Sequence, residues 1–186
     1  MSLRYAILGL ITHQELSAYE ITRRFEESVG YFWHARSQQI YPELARLEQA
    51  RLVTGRTVEQ VGRPHKRVFH ITDDGLAALR AWVATPSPLT FVKDEFMVKV
   101  WCYGELEAGR AMASLAEHRN RHEERLAAYR AIRAGFEGVD PRDLPPAAVG
   151  PYLTLEGGIA MEEAFLAWCR NAEEVLALRT SARVRR

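Results

Sequence analysis

The chain has 186 residues, a formal net charge of +1 and two cysteines. This length suits one medium domain or two small ones with a buried core. A net charge near zero excludes a protein that is basic throughout, so any binding of nucleic acid must come from local placement of charge. Cys102 and Cys169 lie outside any CxxC pattern, which excludes a disulfide scaffold and a zinc ribbon. We expect both to be buried thiols in a reducing compartment.

The first apolar run is short and polar residues follow it at once, so we expect a helix over residues 3–13 rather than a signal peptide. No stretch approaches the roughly 18 apolar residues that span a bilayer. The sequence therefore predicts a soluble, cytoplasmic protein without a membrane partner.

Two further helices follow. Ser17 has Glu20 three residues on, which is the spacing of a capping box, and Gly30 is a natural end for the helix after it. The next helix starts near Ser37, with Pro42 in its first turn or so, where the missing N–H costs little. Its buried stripe is expected to be Ile40, Leu44, Leu47 and Ala50.

The hydrophobic period then changes. LVTGRTVEQ and RVFHIT are rich in β-branched and aromatic residues, and VGRPHK between them contains the turn residues Gly62 and Pro64. We expect a two-stranded hairpin there. Thr72 next caps a helix with an acidic first turn, and the prolines of TPSPLT predict a linker over residues 85–90.

The remaining sequence predicts helices: a short one in VKDEFMVKVWCYG, a long one over 105–135 and a last one over 147–179. Gly157 and Gly158 interrupt the last helix, where they either allow close helix approach or cause a local bend. The predicted fold is mainly α. It has an N-terminal winged helix-turn-helix over residues 1–84, with a two-stranded β wing, and a C-terminal helical dimerisation domain over residues 91–186.

The order of the predicted elements is suited to binding DNA. A helix about 10–12 Å across fits the major groove of B-DNA, which is about 12 Å wide, so the third helix would read bases. Residues 36–67 contain seven Lys and Arg against three acids, an excess of four in a chain whose total is +1. Exposed turns are often charged without binding anything, but helix order and local charge together favour DNA contact.

Polar side chains at the start of the third helix suit base edges. Gln38 and Gln39 can pair bidentately with adenine, and Arg36 suits a phosphate or a guanine. The alternative to base contact is that both glutamines are merely solvated and that Ser37 only caps the helix. Two tyrosines either cover a core pocket or offer their hydroxyls to phosphates: Tyr19 and Tyr41.

Four segments resemble the PadR family of transcriptional regulators: LRYAILGLI, SAYEITRRFEES, FWHARSQQIYPELARLEQARLV and GRPHKRVFHITDDGLAALRAWV. The resemblance covers residues 3–84 almost without a gap. YLTLEGGIAMEEAFLAWC resembles, more loosely, the subgroup with a large helical C-terminal domain. The resemblance implies a recognition helix over 37–49, a wing tip over 62–67, and a repressor whose DNA binding a small aromatic or otherwise hydrophobic ligand relieves.

The residues and the resemblance together assign contacts with double-stranded DNA to a set of side chains on the second helix, the reader and the wing. They are Tyr19, Arg36, Ser37, Gln38, Gln39, Tyr41, Arg46, Gly62, Arg63, Pro64, His65, Lys66 and Arg67.

The last helix has two apolar stripes, more than one neighbour from the same chain covers, which favours a homodimer over a helix buried within a monomer. The resemblance implies the same, and a two-fold dimer matches palindromic half-sites about 34–36 Å apart. The expected interface residues are Leu115, Leu126, Tyr129, Tyr152, Leu155, Ile159, Phe165, Leu166 and Trp168.

Aromatic side chains either fill the core and the interface or line a pocket for a planar effector. The residues expected in such a pocket are Phe32, Trp33, Phe96, Trp101, Tyr152 and Trp168. His118 and His122 have metal-ligand spacing, but the sequence offers no obvious third ligand. We therefore expect a solvated, charged helix face there, and no metal or cofactor.

No Gly-rich phosphate loop, nucleophile elbow or HExxH motif is present, so we expect no enzymatic activity. The alternative to operator binding is a winged helix that docks on a protein partner. Salt separates the two hypotheses, because DNA affinity falls steeply with salt whereas an apolar protein interface responds weakly.

Overall fold

The computed structural model describes residues 2–27, 37–59, 62, 65–88 and 93–184. The chain forms two compact units, residues 1–89 and residues 90–186. The first contains α1 (Ser2–Leu10), β1 (Leu16–Ser17), α2 (Ala18–Glu27), α3 (Ser37–Gln49), β2 (Val53–Val58), β3 (Lys66–Ile71) and α4 (Asp73–Val83). The predicted winged helix-turn-helix order is confirmed.

The core of the first unit lies between α1, α2, α3 and the sheet. Ile40, Leu44 and Leu47 of α3 are at most 2% exposed, as the helical spacing predicts. Ala50 is exposed because α3 ends at Gln49, one residue before it. The other fully buried side chains of this core are Ile7, Leu8, Ile11, Ile21, Phe25 and Val53. With this face of α3 buried, the opposite face of the helix is exposed to solvent.

The wing is part of a three-stranded antiparallel sheet in the order β1-β3-β2. The predicted hairpin is β2 and β3, in register from Val53 opposite Ile71 to Val58 opposite Lys66. The third strand, β1, pairs Leu16 with Phe69 and is only two residues long. Such a strand carries no alternating pattern, so periodicity could not predict it.

Local capping fixes where two helices begin. Ser17 N–H and Oγ both donate to Glu20 Oε2, at 2.8 and 2.7 Å, and Glu20 N–H donates to Ser17 Oγ at 3.3 Å. The predicted capping box is therefore present. Thr72 Oγ1 accepts from Gly75 N–H at 3.0 Å and caps α4, also as predicted.

Two further predicted positions in the first unit need correction. α1 ends at Leu10, three residues earlier than its apolar pattern predicts. Pro42 is the sixth residue of α3 and so lies in its second turn, not its first. Pro42 lacks the N–H that would bond the Gln38 carbonyl one turn earlier, so the helix tolerates an interior proline close to its N-terminus.

The second unit contains α5 (Glu95–Trp101), α6 (Ala108–Ala134) and α7 (Pro146–Val184). Short 3₁₀ turns at Tyr103–Glu105 and Pro141–Asp143 precede the two long helices. α6 and α7 pack along each other, and α5 contributes Phe96 to the same core. Among the helices that the structure describes, none has the length and apolarity to cross a membrane.

Close helix approach, not a bend, explains one of the two glycines of α7. A Cβ on Gly158 would lie 3.0 Å from Cε2 of the Tyr129 ring, whereas one on Gly157 would meet nothing within 4 Å. α7 runs through both without interruption. Cys169 is buried, as expected for both cysteines, but Cys102 is exposed at the C-cap position that follows α5.

Candidate nucleic-acid interface

The start of α3 presents a polar surface. Gln38, Gln39 and Tyr41 are exposed, while Ile40 between them is 1% exposed and anchors the helix to the core. An α-helix places successive side chains about 100° apart, so burying Ile40 turns its neighbours outward. Donors and acceptors of this kind at a helix end suit the edges of bases in a major groove.

The two tyrosines do not cover a core pocket. Tyr19, in the first turn of α2, is 69% exposed, and Tyr41 in α3 is 55% exposed. Exposed phenol hydroxyls are common donors to phosphate oxygens in DNA complexes. Of the two alternatives left by the sequence, the exposure favours the phosphate contact.

The wing tip begins where the ladder between β2 and β3 ends. Gly62 has φ +71°, a left-handed conformation that glycine adopts without strain and other residues resist. His65 next to β3 is exposed. Other predicted contacts lie outside the described residues: Arg36, Arg63 and Pro64, together with the side chain of Ser37.

The cations on the sheet are paired with acids. Lys66 Nζ donates to Glu20 Oε1 at 2.9 Å, and Arg67 Nη2 donates to Glu48 Oε1 at 2.6 Å. Arg56 of β2 forms a bidentate pair with the carboxylate of Glu15.

Arg46 of α3 is paired as well. Its Nη1 lies 2.9 Å from Glu43 Oε2, which belongs to the same helix. Glu15 and Glu20 precede residue 36, so counting charges over residues 36–67 missed both. The excess of positive charge on the described part of this surface is therefore smaller than the sequence count indicates.

Glu20 is the acid most strongly held. Hydrogen bonds from the Ser17 hydroxyl and backbone, followed by one from Lys66, lower its pKa from 4.5 to about 2. The carboxylate of Glu20 is therefore ionised throughout the physiological range.

The residues expected at a dimer interface fall into two groups. Four are at most 6% exposed and are covered within the chain by the packing of α6 and α7: Leu115, Leu126, Tyr129 and Leu166. Five are half-buried: Tyr152, Leu155, Ile159, Phe165 and Trp168. Some apolar side chains of α7 that are not among these nine residues are each more than half exposed: Leu153, Met161, Val175 and Leu178.

The residues expected around an effector do not form one group. Phe96 and Trp168 meet edge to face with ring centroids 6.3 Å apart, in a cluster with Phe165. Tyr152 instead packs on Phe136 at 5.4 Å, and Trp101 is 89% exposed. The remaining two expected residues, Phe32 and Trp33, lie outside the part of the chain that the structure describes.

The expectation of a solvated face at His118 and His122 is wrong. His118 stacks on Phe96 at 3.6 Å and His122 stacks on Phe165 at 3.9 Å. Their Nε2 atoms lie 3.2 Å apart, and His122 Nδ1 lies 2.5 Å from the carboxylate of buried Glu162. Across the described ranges, no three metal-binding side chains are grouped to hold an ion.

Comparison with known proteins gives the family. A model described as "Transcriptional regulator PadR-like family" matches residues 7–81, and one described as "Virulence activator alpha C-term" matches residues 92–177. The "Probable transcriptional regulator Rv1176c" of Mycobacterium tuberculosis is 37% identical over 95% of this chain and 98% of its own length. The negative transcriptional regulator PadR of Bacillus subtilis is 33% identical over 95% of this chain and 96% of its own.

Solved structures agree. The crystal structure of Bacillus subtilis PadR in complex with operator DNA matches 95% of this chain and 99% of its own, with 30% identity and a TM-score of 0.86. The structure of the same protein in complex with p-coumaric acid matches equal shares, with 30% identity and a TM-score of 0.82. By sequence and by fold, the chain belongs to the PadR-like family of transcriptional regulators.

Proposed function

We propose that this protein is a cytoplasmic repressor that binds a palindromic operator as a homodimer, and that it has no enzymatic role. The observation that carries the proposal is the start of α3, where Gln38, Gln39 and Tyr41 are exposed while the other face of the helix is buried. The relative with operator DNA bound supports DNA as the ligand, since its structure has the same fold. In this proposal residues 1–84 bind DNA, and residues 91–186 form the dimer and respond to an effector. Residues 85–90 are the linker between these two domains.

The dimer proposal is supported by an apolar stripe on α7. Leu153, Met161, Val175 and Leu178 are between 58% and 75% exposed. At about 100° per residue, these positions fall within an arc of about 100° on one side of the helix. A second copy of this chain, related by a two-fold axis, would cover the same stripe on both subunits.

An aromatic effector is supported by the cluster of Phe96, Phe165 and Trp168, whose rings suit stacking against a planar ligand. Bacillus subtilis PadR has been crystallised with p-coumaric acid, a small aromatic acid. We propose that a ligand of this class binds the second unit and lowers the affinity for the operator.

An electrophoretic shift assay tests the DNA proposal. The protein is titrated against its own promoter-proximal DNA and against a random duplex of equal length and composition. The proposal predicts binding to promoter DNA at least about 10³-fold tighter than to random DNA, the low end for specific regulators. Equal binding to both duplexes would contradict it and favour a winged helix that docks on a protein.

Light scattering coupled to gel filtration tests the dimer. Met161→Glu places a charge within the exposed stripe of α7 and should convert a dimer to a monomer. Val139→Glu is the matched control. Val139 is also an exposed apolar residue, at 45%, but it belongs to the segment that connects α6 to α7 and not to the stripe on α7. A dimer that survives Met161→Glu would place the interface elsewhere.

A further inference from the structure

The carboxylate of Glu48 touches both strands of the wing from the last turn of the reader helix. Its Oε1 accepts from Gly55 N–H of β2 at 3.1 Å and from Arg67 Nη2 of β3 at 2.6 Å. We propose that Glu48 is a positioning residue that fixes the wing relative to α3, and that Arg67 serves this contact rather than a phosphate. The proposal rests on the proposed function, since it concerns how the same surface reads DNA.

The geometry around Arg67 favours a fixed side chain. Its guanidinium carbon lies 5.7 Å from the centroid of the Phe69 ring, which is itself 8% exposed and part of the core. The side chain therefore runs along the sheet between Phe69 and Glu48, and both ends of that path are held. The Arg67 side chain is 57% exposed, but its guanidinium is bound to Glu48 and lies near the Phe69 ring.

Gly55 provides the space for this contact. A Cβ at position 55 would lie 2.6 Å from Arg67 Nε and 2.9 Å from Glu48 Oε1. Any other residue would displace the Glu48–Arg67 bridge, because the bridge lies directly over the backbone of β2. The sequence thus combines an acid at the end of the reader, a glycine in one strand and an arginine in the other.

A second acid holds the wing from the other helix. Glu20 accepts from Lys66 Nζ at 2.9 Å at the start of β3, while its Oε2 caps α2 through Ser17. Glu48 and Glu20 thus tie β3 to α3 and to α2. A winged helix reads DNA with the reader and the wing at the same time, so fixing the angle between them before binding reduces the ordering cost of the correct complex.

The test compares affinity for the operator with affinity for random DNA in single variants of the full chain. Glu48→Gln keeps an oxygen for Gly55 but removes the charge that holds Arg67. Gly55→Ala displaces the bridge without changing any charge. Both should lower the ratio of operator to random affinity by about 3- to 10-fold, a difference of about 1 kcal/mol in discrimination.

Glu43→Gln is the matched control. It removes the same charge from the same helix and also frees an arginine, but Glu43 contacts Arg46 and Arg4 rather than the wing. It should raise affinity for both duplexes by a similar factor and leave the ratio unchanged. A double variant that combines Glu48→Gln with Arg67→Gln gives a further check. Its loss in the ratio of operator to random affinity should be smaller than the sum of the two single losses, because each single change breaks the same contact.

Two results would overturn the proposal. One is an unchanged ratio in both Glu48→Gln and Gly55→Ala. The other concerns Arg67→Gln: affinity for the operator and for random DNA falls by the same factor, and the slope of log affinity against log salt concentration becomes shallower by about one unit. That is the behaviour expected when a phosphate contact is lost. Failure of the proposed function itself is distinguishable, because the unaltered protein would then show no preference for the operator. Circular dichroism melts confirm that each variant is folded.

Discussion

Glu20 and Lys66 are 46 residues apart in sequence, yet their side chains meet at 2.9 Å and join the start of α2 to the start of β3. The same carboxylate accepts two bonds from Ser17. One acidic side chain therefore sets both where a helix begins and where the wing leaves the body of the domain.

Stability at acid pH should depend on this carboxylate. Its folded pKa of about 2 lies below the ordinary glutamate value of 4.5, so its contribution to stability is complete above pH 4.5 and is lost as the pH falls toward 2. Because the side chain is 34% exposed, we expect about 1 kcal/mol rather than the full value of the shift. Urea unfolding measures the free energy of unfolding at pH 7 and at pH 3. The decrease in this free energy between the two pH values should be smaller in Glu20→Gln than in the unaltered protein. Glu59→Gln, at an exposed position beyond β2, is the control.

Base reading should depend on Gln39. Gln39→Ala should relax the preference at one operator position by about 1–3 kcal/mol while leaving affinity for random DNA nearly unchanged. Binding to a panel of operators with single base changes measures this. Gln49→Ala, at an exposed position at the other end of α3, should leave the whole panel unaffected. Full discrimination in Gln39→Ala would show that α3 does not read DNA through this side chain.

The packing of α6 on α7 should depend on Gly158. Alanine usually stabilises a helix interior by about 1 kcal/mol relative to glycine. At Gly158 the added Cβ would lie 3.0 Å from the Tyr129 ring, so we expect crowding to reverse the sign and lower the free energy of unfolding by about 1 kcal/mol. Gly109→Ala in α6, where a Cβ meets nothing within 4 Å, should not destabilise. Thermal unfolding of both variants tests this expectation. A Gly158→Ala variant more stable than the unaltered protein would contradict a close approach of α6 and α7 at this position.

The second unit should lose stability on mild acidification. Burial, and then the neighbouring His122, hold the pKa of His118 below 6.5. The unfolded chain therefore binds a proton there more readily than the folded chain, so stability falls as the pH drops through about 6.5. His118→Phe, which keeps a ring against Phe96, should flatten the change in melting temperature between pH 7.5 and pH 5.5. An equal change in both proteins would exclude His118 as its source.

Local sequence signals predicted most of the fold. The spacing of Ile40, Leu44 and Leu47 predicted the buried face of α3. The Ser17–Glu20 spacing and the capping residue Thr72 marked two helix starts. Each of these signals depends on residues within two helical turns of one another. Spacing of that kind is what periodicity and capping rules detect.

The overestimated surface charge and the mispredicted histidine face both came from contacts between distant segments. Glu15, Glu20 and Glu48 neutralise Arg56, Lys66 and Arg67, and the partners are between 19 and 46 residues apart. A count of charges along the chain cannot detect such pairing. The same holds for His118 and His122, where neighbouring charges indicated a solvated face but the rings stack on Phe96 and Phe165 from other helices.

The most direct test of the central claim is operator affinity measured across a salt series. The account predicts sequence-selective binding whose affinity falls linearly on logarithmic axes, by about 10³-fold between 50 and 200 mM salt for a dimer contacting several phosphates. Binding that responds weakly to salt, or that shows no preference for the operator, would contradict a DNA-reading role for α3 and the wing.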